Sequence, residues 1–205
     1  MVRADAARNR ELILDAAAAT FARRGPGVPL EEVAAEAGVG IATLYRRFAT
    51  REELLEAVAA RHVEFYEKAL RKGLSDPDPW QGFSGFVRAV AEIQAKHPGL
   101  AEMLMVPCHG ADPARSSAVF EGYLELVQRA QQAGDLRPDY SPEDLPMLLL
   151  ANAGVLRGTA GAAPRAWKRL VEYLLQAFQC RSHRDSLPPP MSGAQVQKAL
   201  KNPAG

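Results

Sequence analysis

Apolar residues recur at intervals of three and four along almost the whole chain, and no stretch alternates apolar with polar as a half-buried strand requires. Ile13, Ala16, Ala17, Thr20 and Phe21 form the first helical stripe, followed by Arg23, Arg24 and Gly25 as a cationic last turn and a stop. Pro29 opens a short second helix with Glu31 and Glu32 in its first turn and Val33, Ala34 and Ala37 apolar, ending at Gly38. A third helix is predicted over 41–48. Thr50 and Glu53 then form a capping box, which starts a fourth helix at Arg51 that runs to about Lys72.

The composition loosens at "GLSDPDPW", a break between two parts of the chain. Phe83, Phe86, Val87, Val90 and Ile93 mark a fifth helix that stops at His97-Pro98. A short segment over 100–106 and the loop "PCHGADP" follow, then a longer helix over 113–134 with Val119, Tyr123, Leu126, Val127 and Ala130 on one face. Ser141 and Pro142 read as the cap and first residue of a helix over 142–158, and a last helix covers 165–179. Beyond Cys180, the residues 181–205 are polar and proline-bearing. They read as a disordered tail in which "AQVQKALK" is a transient helix. The fold class expected is all-α.

Composition narrows the function. The 205 residues are 47% hydrophobic, enough for a buried core. Lys+Arg 25 against Asp+Glu 24 leaves +1, so affinity for nucleic acid has to come from local charge placement. The charged start of the chain has no signal-peptide or membrane-span pattern, and a cytoplasmic protein without a membrane partner is expected. Cys108 and Cys180 have no CxxC spacing, and His109 beside Cys108, with His97 nearby, has no paired ligand spacing, so no disulfide scaffold and no metal are expected. "GVGIAT" lacks the third glycine of a dinucleotide site, "GFSG" is one residue short of GxSxG, and HExxH and P-loop patterns are missing. The reading is not an enzyme, and no cofactor is expected.

The chemistry concentrates in "GVGIATLYRRF". At about 100° per residue, Ile41, Leu44 and Phe48 cluster on one side of the third helix, Ala42, Thr43, Arg46 and Arg47 on the other, with Tyr45 at the boundary. A short helix anchored by apolar residues and presenting small, hydroxyl and guanidinium groups suits the major groove. Gly40 lets the turn and helix N-terminus approach a phosphate. These features alone also fit a helical protein-interaction module without specific DNA binding.

The run "VAAEAGVGIATLYRRFATREELL", preceded by "ILDAAAATFARRG", resembles the N-terminal domain of the TetR family of bacterial transcriptional repressors over 8–59. The resemblance implies a helix-turn-helix, three-helix head over 1–50 and a connecting helix over 51–72. An effector-binding and dimerising helical body over 73–180 would follow. It implies a homodimer that reads a partly palindromic double-stranded operator and releases it when a small molecule binds the body. At matching positions, Gly40, Ile41, Ala42, Thr43 and Tyr45 lie at the DNA, Arg46 and Arg47 in or beside the groove, and Arg51 on a phosphate. Thr43 and Tyr45 are assigned to phosphates and Arg46 to a guanine edge, whose O6 and N7 match its fork. The helical wheel turns Ile41 inward, whereas the resemblance sets it against bases. The family's frequent capping Ser or Thr is Pro29 in this chain, and Glu31 stands where a basic residue is common. More of the affinity therefore falls on Arg46, Arg47, Arg51 and the N-terminal Arg3, Arg8 and Arg10.

For the body, the effector candidates are the apolar Phe83, Phe86, Met103, Met105, Phe120 and Tyr123, with Arg88, Asn152 and Arg157 as polar anchors. The last two helices are apolar over much of their surface. Packing inside one body or against a second copy would cover them, and the resemblance favours the second copy. The dimer residues expected are Leu149, Ala153, Leu156, Trp167, Leu170, Val171, Leu174 and Phe178.

Overall fold

The computed structural model describes residues 2–97, 112–180 and 187–201. The predicted segment over 100–106, with Met103 and Met105, and the pair Cys108 and His109 lie outside the described residues. Those described form α1 (Val2–Arg24), α2 (Leu30–Glu36), α3 (Ile41–Arg47), α4 (Arg51–Leu74), α5 (Pro79–Lys96), α6 (Pro113–Gln132), α7 (Asp144–Thr159), α8 (Ala166–Phe178) and α9 (Gly193–Lys201). The only β pairing among them is an isolated antiparallel bridge between Leu136 and Gln179. No described helix is long and apolar enough to cross a membrane.

Two cores share one helix. The first gathers Ile13, Leu14 and Phe21 of α1, Leu30 and Val33 of α2, Leu44 and Phe48 at α3, and Leu54 and Val58 of α4. The second gathers Tyr66 and Leu70 of α4 with Phe83, Phe86 and Val90 of α5, Tyr123 and Leu126 of α6, Leu148 of α7 and Val171 and Leu175 of α8. The division falls inside α4, between Phe65, packed on the first core, and Tyr66, buried in the second.

Local chemistry sets the ends of α4. Thr50 Oγ1 accepts from the Glu53 N–H at 3.1 Å and Glu53 Oε2 accepts from the Ala49 N–H at 2.7 Å, so the predicted capping pair starts the helix. At the other end Arg129 of α6 donates to the Leu74 carbonyl at 2.7 Å and the Asp76 carbonyl at 2.9 Å, satisfying acceptors the helix leaves open. Asp78 then caps α5 by accepting from the Gln81 N–H at 3.0 Å, with Pro79 in the first turn.

Three sequence expectations need correction. The helix expected from Pro142 begins at Asp144, because its carboxylate accepts from the Ser141 N–H at 2.9 Å and holds 141–143 as a turn, while the Ser141 hydroxyl goes to Glu143. The third helix ends at Arg47, with Phe48 as an extended C-cap whose ring folds into the core. Within the expected tail, α9 forms and buries Val196, so an amphipathic face found cover there.

The close approach of α4 and α5 yields a test. A Cβ on Gly82 would lie 2.4 Å from the Gly73 carbonyl oxygen, whereas one on Gly85 would meet nothing within 4 Å. Gly82→Ala is expected to cost about 1–3 kcal/mol by forcing the backbones apart, and Gly85→Ala to leave stability unchanged or raise it by up to about 1 kcal/mol. Urea-unfolding midpoints of the two variants check this.

Candidate nucleic-acid interface

The candidate surface is built by a turn and an anchored helix. After α2, Gly38 takes φ +66, with its N–H donating to Ala35 at 3.1 Å and the Val39 N–H to Ala34 at 3.0 Å. An added Cβ at Gly38 would meet nothing within 4 Å, so the glycine serves the backbone angle and not space. The Gly40 carbonyl accepts from Thr43 at 2.8 Å and Leu44 at 3.2 Å, which starts α3. Leu44 and Phe48 are buried, and Ile41 packs on the same core while keeping part of its surface.

That anchoring turns Ala42, Tyr45, Arg46 and Arg47 to solvent, with Thr43 half-buried. Tyr45 is 47% exposed. Arg46 Nη2 lies 3.4 Å from Thr43 Oγ1, a weak contact, and no described acid pairs with Arg46 or Arg47. The neighbouring cations differ. Arg23 pairs with Glu36 at 3.4 Å and Arg24 pairs with Glu32. These pairs neutralise two of the acids on α2, while Glu31 stays exposed and Pro29 caps the helix with no side-chain bond.

Arg51, for which the resemblance implies a phosphate contact, also has partners inside the head. Its Nη1 donates to the Pro26 carbonyl at 2.8 Å and the Val28 carbonyl at 2.6 Å, so part of its fork is spent holding the α1–α2 connection. Arg10 is exposed, 3.8 Å from Glu11, and sits 5.5 Å over the Phe48 ring; Arg8 is exposed, and the Arg3 side chain lies outside the described set.

In the body, Phe83, Phe86, Tyr123 and Asn152 are buried. Phe86 stacks on Tyr123 at 5.5 Å, and Tyr123 shares a hydroxyl hydrogen bond of 2.8 Å with Tyr140. Asn152 donates to Gln94 Oε1 at 2.7 Å, Gln94 donates to the Leu149 carbonyl at 2.9 Å, and Asn152 Oδ1 has no partner. Arg88 is tied to Glu172 at 2.6 and 3.0 Å and to Ser84 at 2.9 Å, which makes it a brace between α5 and α8. Phe120 is 54% exposed, although it stands one heptad before the buried Val127 of α6. Arg157 is exposed.

The expected dimer residues divide as well. Leu149, Trp167, Val171 and Phe178 are consumed by the protomer's own core, because α7 and α8 pack on each other and on α5. Ala153, Leu156, Leu170 and Leu174 are half-buried, and the apolar exposure lies at Met147 (51%) and Tyr173 (53%), neither of which the spacing singled out.

The residue that periodicity missed in the interior is His62 of α4. It is 4% exposed and neither ring nitrogen has a hydrogen-bond partner. Burial, and next the charge of Arg61, lower its pKa from 6.5 to about 4, so the ring is neutral. The only sequence signal was a histidine on the inner face of the long fourth helix.

Comparison with known proteins agrees with this geometry. Residues 13–58 match the family described as bacterial regulatory proteins, tetR family, and 78–178 match the SbtR-like transcriptional regulator C-terminal domain. The HTH-type transcriptional repressor LfrR of Mycolicibacterium smegmatis is 34% identical over 137 residues, spanning 66% of this chain and 70% of that protein. The chain belongs to the TetR family.

A TetR transcription regulatory protein from Mycobacterium vanbaalenii has 31% identity and a TM-score of 0.50, covering 87% of this chain and 99% of that one. The TetR regulator SCO0520 of Streptomyces coelicolor has 29% identity and a TM-score of 0.53, covering 84% and 99%. The TetR membership makes the protein a DNA-binding helix-turn-helix transcription regulator, with α2, the Gly38 turn and α3 as the motif.

Two predictions follow from the placement of charge. Each phosphate contact contributes about 0.9 to the slope of log affinity against log salt. Arg51→Met is expected to weaken DNA binding while leaving that slope within about half a unit, as a positioning group would; a loss near 0.9 would return Arg51 to a phosphate. For His62, the unfolded chain takes up a proton below pH 6.5 and the folded one only near pH 4, so stability is complete above 6.5 and falls as pH drops through that window. The wild type is expected to lose about 2 kcal/mol more than His62→Leu between pH 7 and pH 5, measured by guanidinium unfolding.

Proposed function

We propose that the protein is a homodimeric repressor that reads a partly palindromic operator through α3 and lets go when a small molecule enters the body. The observation that carries this is the outward face of α3, where Arg46 and Arg47 have no described acidic partner on a helix anchored by Leu44 and Phe48. In this reading Arg46 reads a guanine edge, Thr43 and Tyr45 grip phosphates, and Ile41 and Ala42 face bases with the exposed part of their surface. Gly40 lets the N-terminus of α3 meet the backbone.

Two recognition helices need a two-fold partner, and the apolar surface of α7 and α8 around Ala153, Leu156, Leu170 and Leu174, widened by Met147 and Tyr173, supports one there. The aromatic interior around Phe86 and Tyr123, with uncharged hydrogen-bonding atoms on His62 and Asn152, supports an uncharged, largely apolar effector. Release is a matter of differential affinity. An effector that prefers a body conformation with the heads misplaced weakens DNA binding by that preference alone.

Selection of the purified protein against a random duplex library tests the reading. A palindrome with half-sites spaced for a dimer is expected, and failure to enrich any duplex with folded, dimeric protein overturns it. On the recovered operator, Arg46→Ala is expected to cost about 1–3 kcal/mol and relax discrimination at one base pair, and Arg47→Ala to weaken all sequences alike with a shallower salt slope. Titrations at three salt concentrations against matched and mismatched duplexes distinguish the two roles.

A further inference from the structure

Head and body are joined by α4, yet a second connection runs beside it. Asp15 of α1 accepts from Arg61 of α4, and its Oδ1 lies 2.9 Å from Nδ1 of His97, the C-cap of α5. Arg61 also donates to Glu11 Oε2 at 2.8 Å. The His97 ring stacks on Phe65 with centroids 5.3 Å apart and planes at 21°, and the Arg61 guanidinium lies 5.8 Å from the centroid of the Phe65 ring. One body residue is therefore bonded to the head and stacked on the helix between them. These residues sit at the seam where α4 passes from one core to the other.

The contact has the chemistry of a fixed strut. The Arg61 side chain is only 9% exposed, while its carboxylate partners Glu11 and Asp15 keep 57% and 46% of their surface, so the guanidinium is fixed in place and the carboxylates meet it from the solvent side. Nδ1 of a neutral imidazole can carry the proton and donate to the carboxylate, so the bond needs no charge on His97. Phe65 fixes the plane of that ring, which leaves Asp15 one orientation to meet.

We propose that Asp15 and His97 are positioning residues for DNA recognition: by tying α1 to the end of α5 they set the angle of the head on the body, and with it the separation of the two recognition helices in the dimer. The proposal rests on the DNA-reading homodimer described above. The leverage is large enough to matter. The stretch of α4 from Arg51 to the seam is about 22 Å long at 1.5 Å per residue, so a tilt of about 10° carries the head about 4 Å, close to the 3.4 Å rise of one base pair. A loosened strut should therefore show itself in tolerance of half-site spacing before it shows in affinity for a single half-site.

The test uses the full-length protein, the selected operator, and versions of it with one base pair added or removed between the half-sites. The wild type is expected to prefer the native spacing. Asp15→Ala and His97→Phe, the second of which keeps the stack on Phe65, are each expected to reduce that preference at least threefold with affinity for an isolated half-site unchanged. His97→Asn, whose amide nitrogen falls near the Nδ1 position, should retain the wild-type preference, and the Asp15→Ala/His97→Phe double variant should go no further than either single one. Unchanged spacing preference overturns the proposal, and so does an equal loss on half-sites and whole operators, which would mark a merely structural role. If the wild type enriches no duplex, it is the DNA reading that has failed. The strut is then decided by hydrogen exchange in α1, expected to speed up at least tenfold in both variants and to stay unchanged if the proposal is wrong.

Discussion

Everything in this molecule depends on one helix belonging to two hydrophobic cores. Leu54 and Val58 bury into the head, Tyr66, Ala69 and Leu70 into the body, and no loop separates the two sets. A continuous helix transmits rotation and tilt without loss over its length, because its backbone hydrogen bonds resist bending unless a proline or an inserted group breaks them. The body end of α4 is held hard by the Gly73–Gly82 backbone approach and by Arg129 on its last carbonyls. The head end carries a capping box and Arg51, which fasten it to the head and to nothing in the body.

The near-zero net charge makes the DNA surface an exercise in local electrostatics. Two of the arginines near the helix-turn-helix are neutralised by Glu32 and Glu36, and Arg51 is engaged by carbonyls. What remains is concentrated on α3, at Arg46 and Arg47. A protein so arranged gains little from non-specific attraction along the duplex and depends more on the fit of one short helix in the groove.

The interior carries polar groups that a core chosen only for stability would not keep. Asn152 Oδ1 and both nitrogens of His62 are buried without partners, each at a cost of about 1–3 kcal/mol. Violations of this kind tend to fall at functional sites and to be offset elsewhere. Here the offset is a continuous aromatic packing of Tyr66, Phe86 and Tyr123, and of Tyr140 with Phe83 and Phe178.

The sequence by itself determined the helices and the outward face of α3, because both rest on local physics: the 3.6-residue period, the cap at Thr50, the turn at Gly38, and an anchored side that leaves Arg46 and Arg47 outward. Where one stretch of chain has to choose among partners distant in sequence, only the tertiary structure decided. Leu149, Trp167, Val171 and Phe178 are as apolar as a dimer contact needs, yet the protomer's own packing claims them. Phe120 stands one heptad before the buried Val127 on α6 yet is itself exposed, and the helix expected at Pro142 gave way to a turn closed by Asp144. Arg51, His62 and the pair Asp15 and His97 drew their roles from carbonyls, burial and a carboxylate that lie 23 to 82 residues away, or from a core no window of sequence contains. Periodicity fixes which face of a helix is buried; what meets that face is a property of the folded whole.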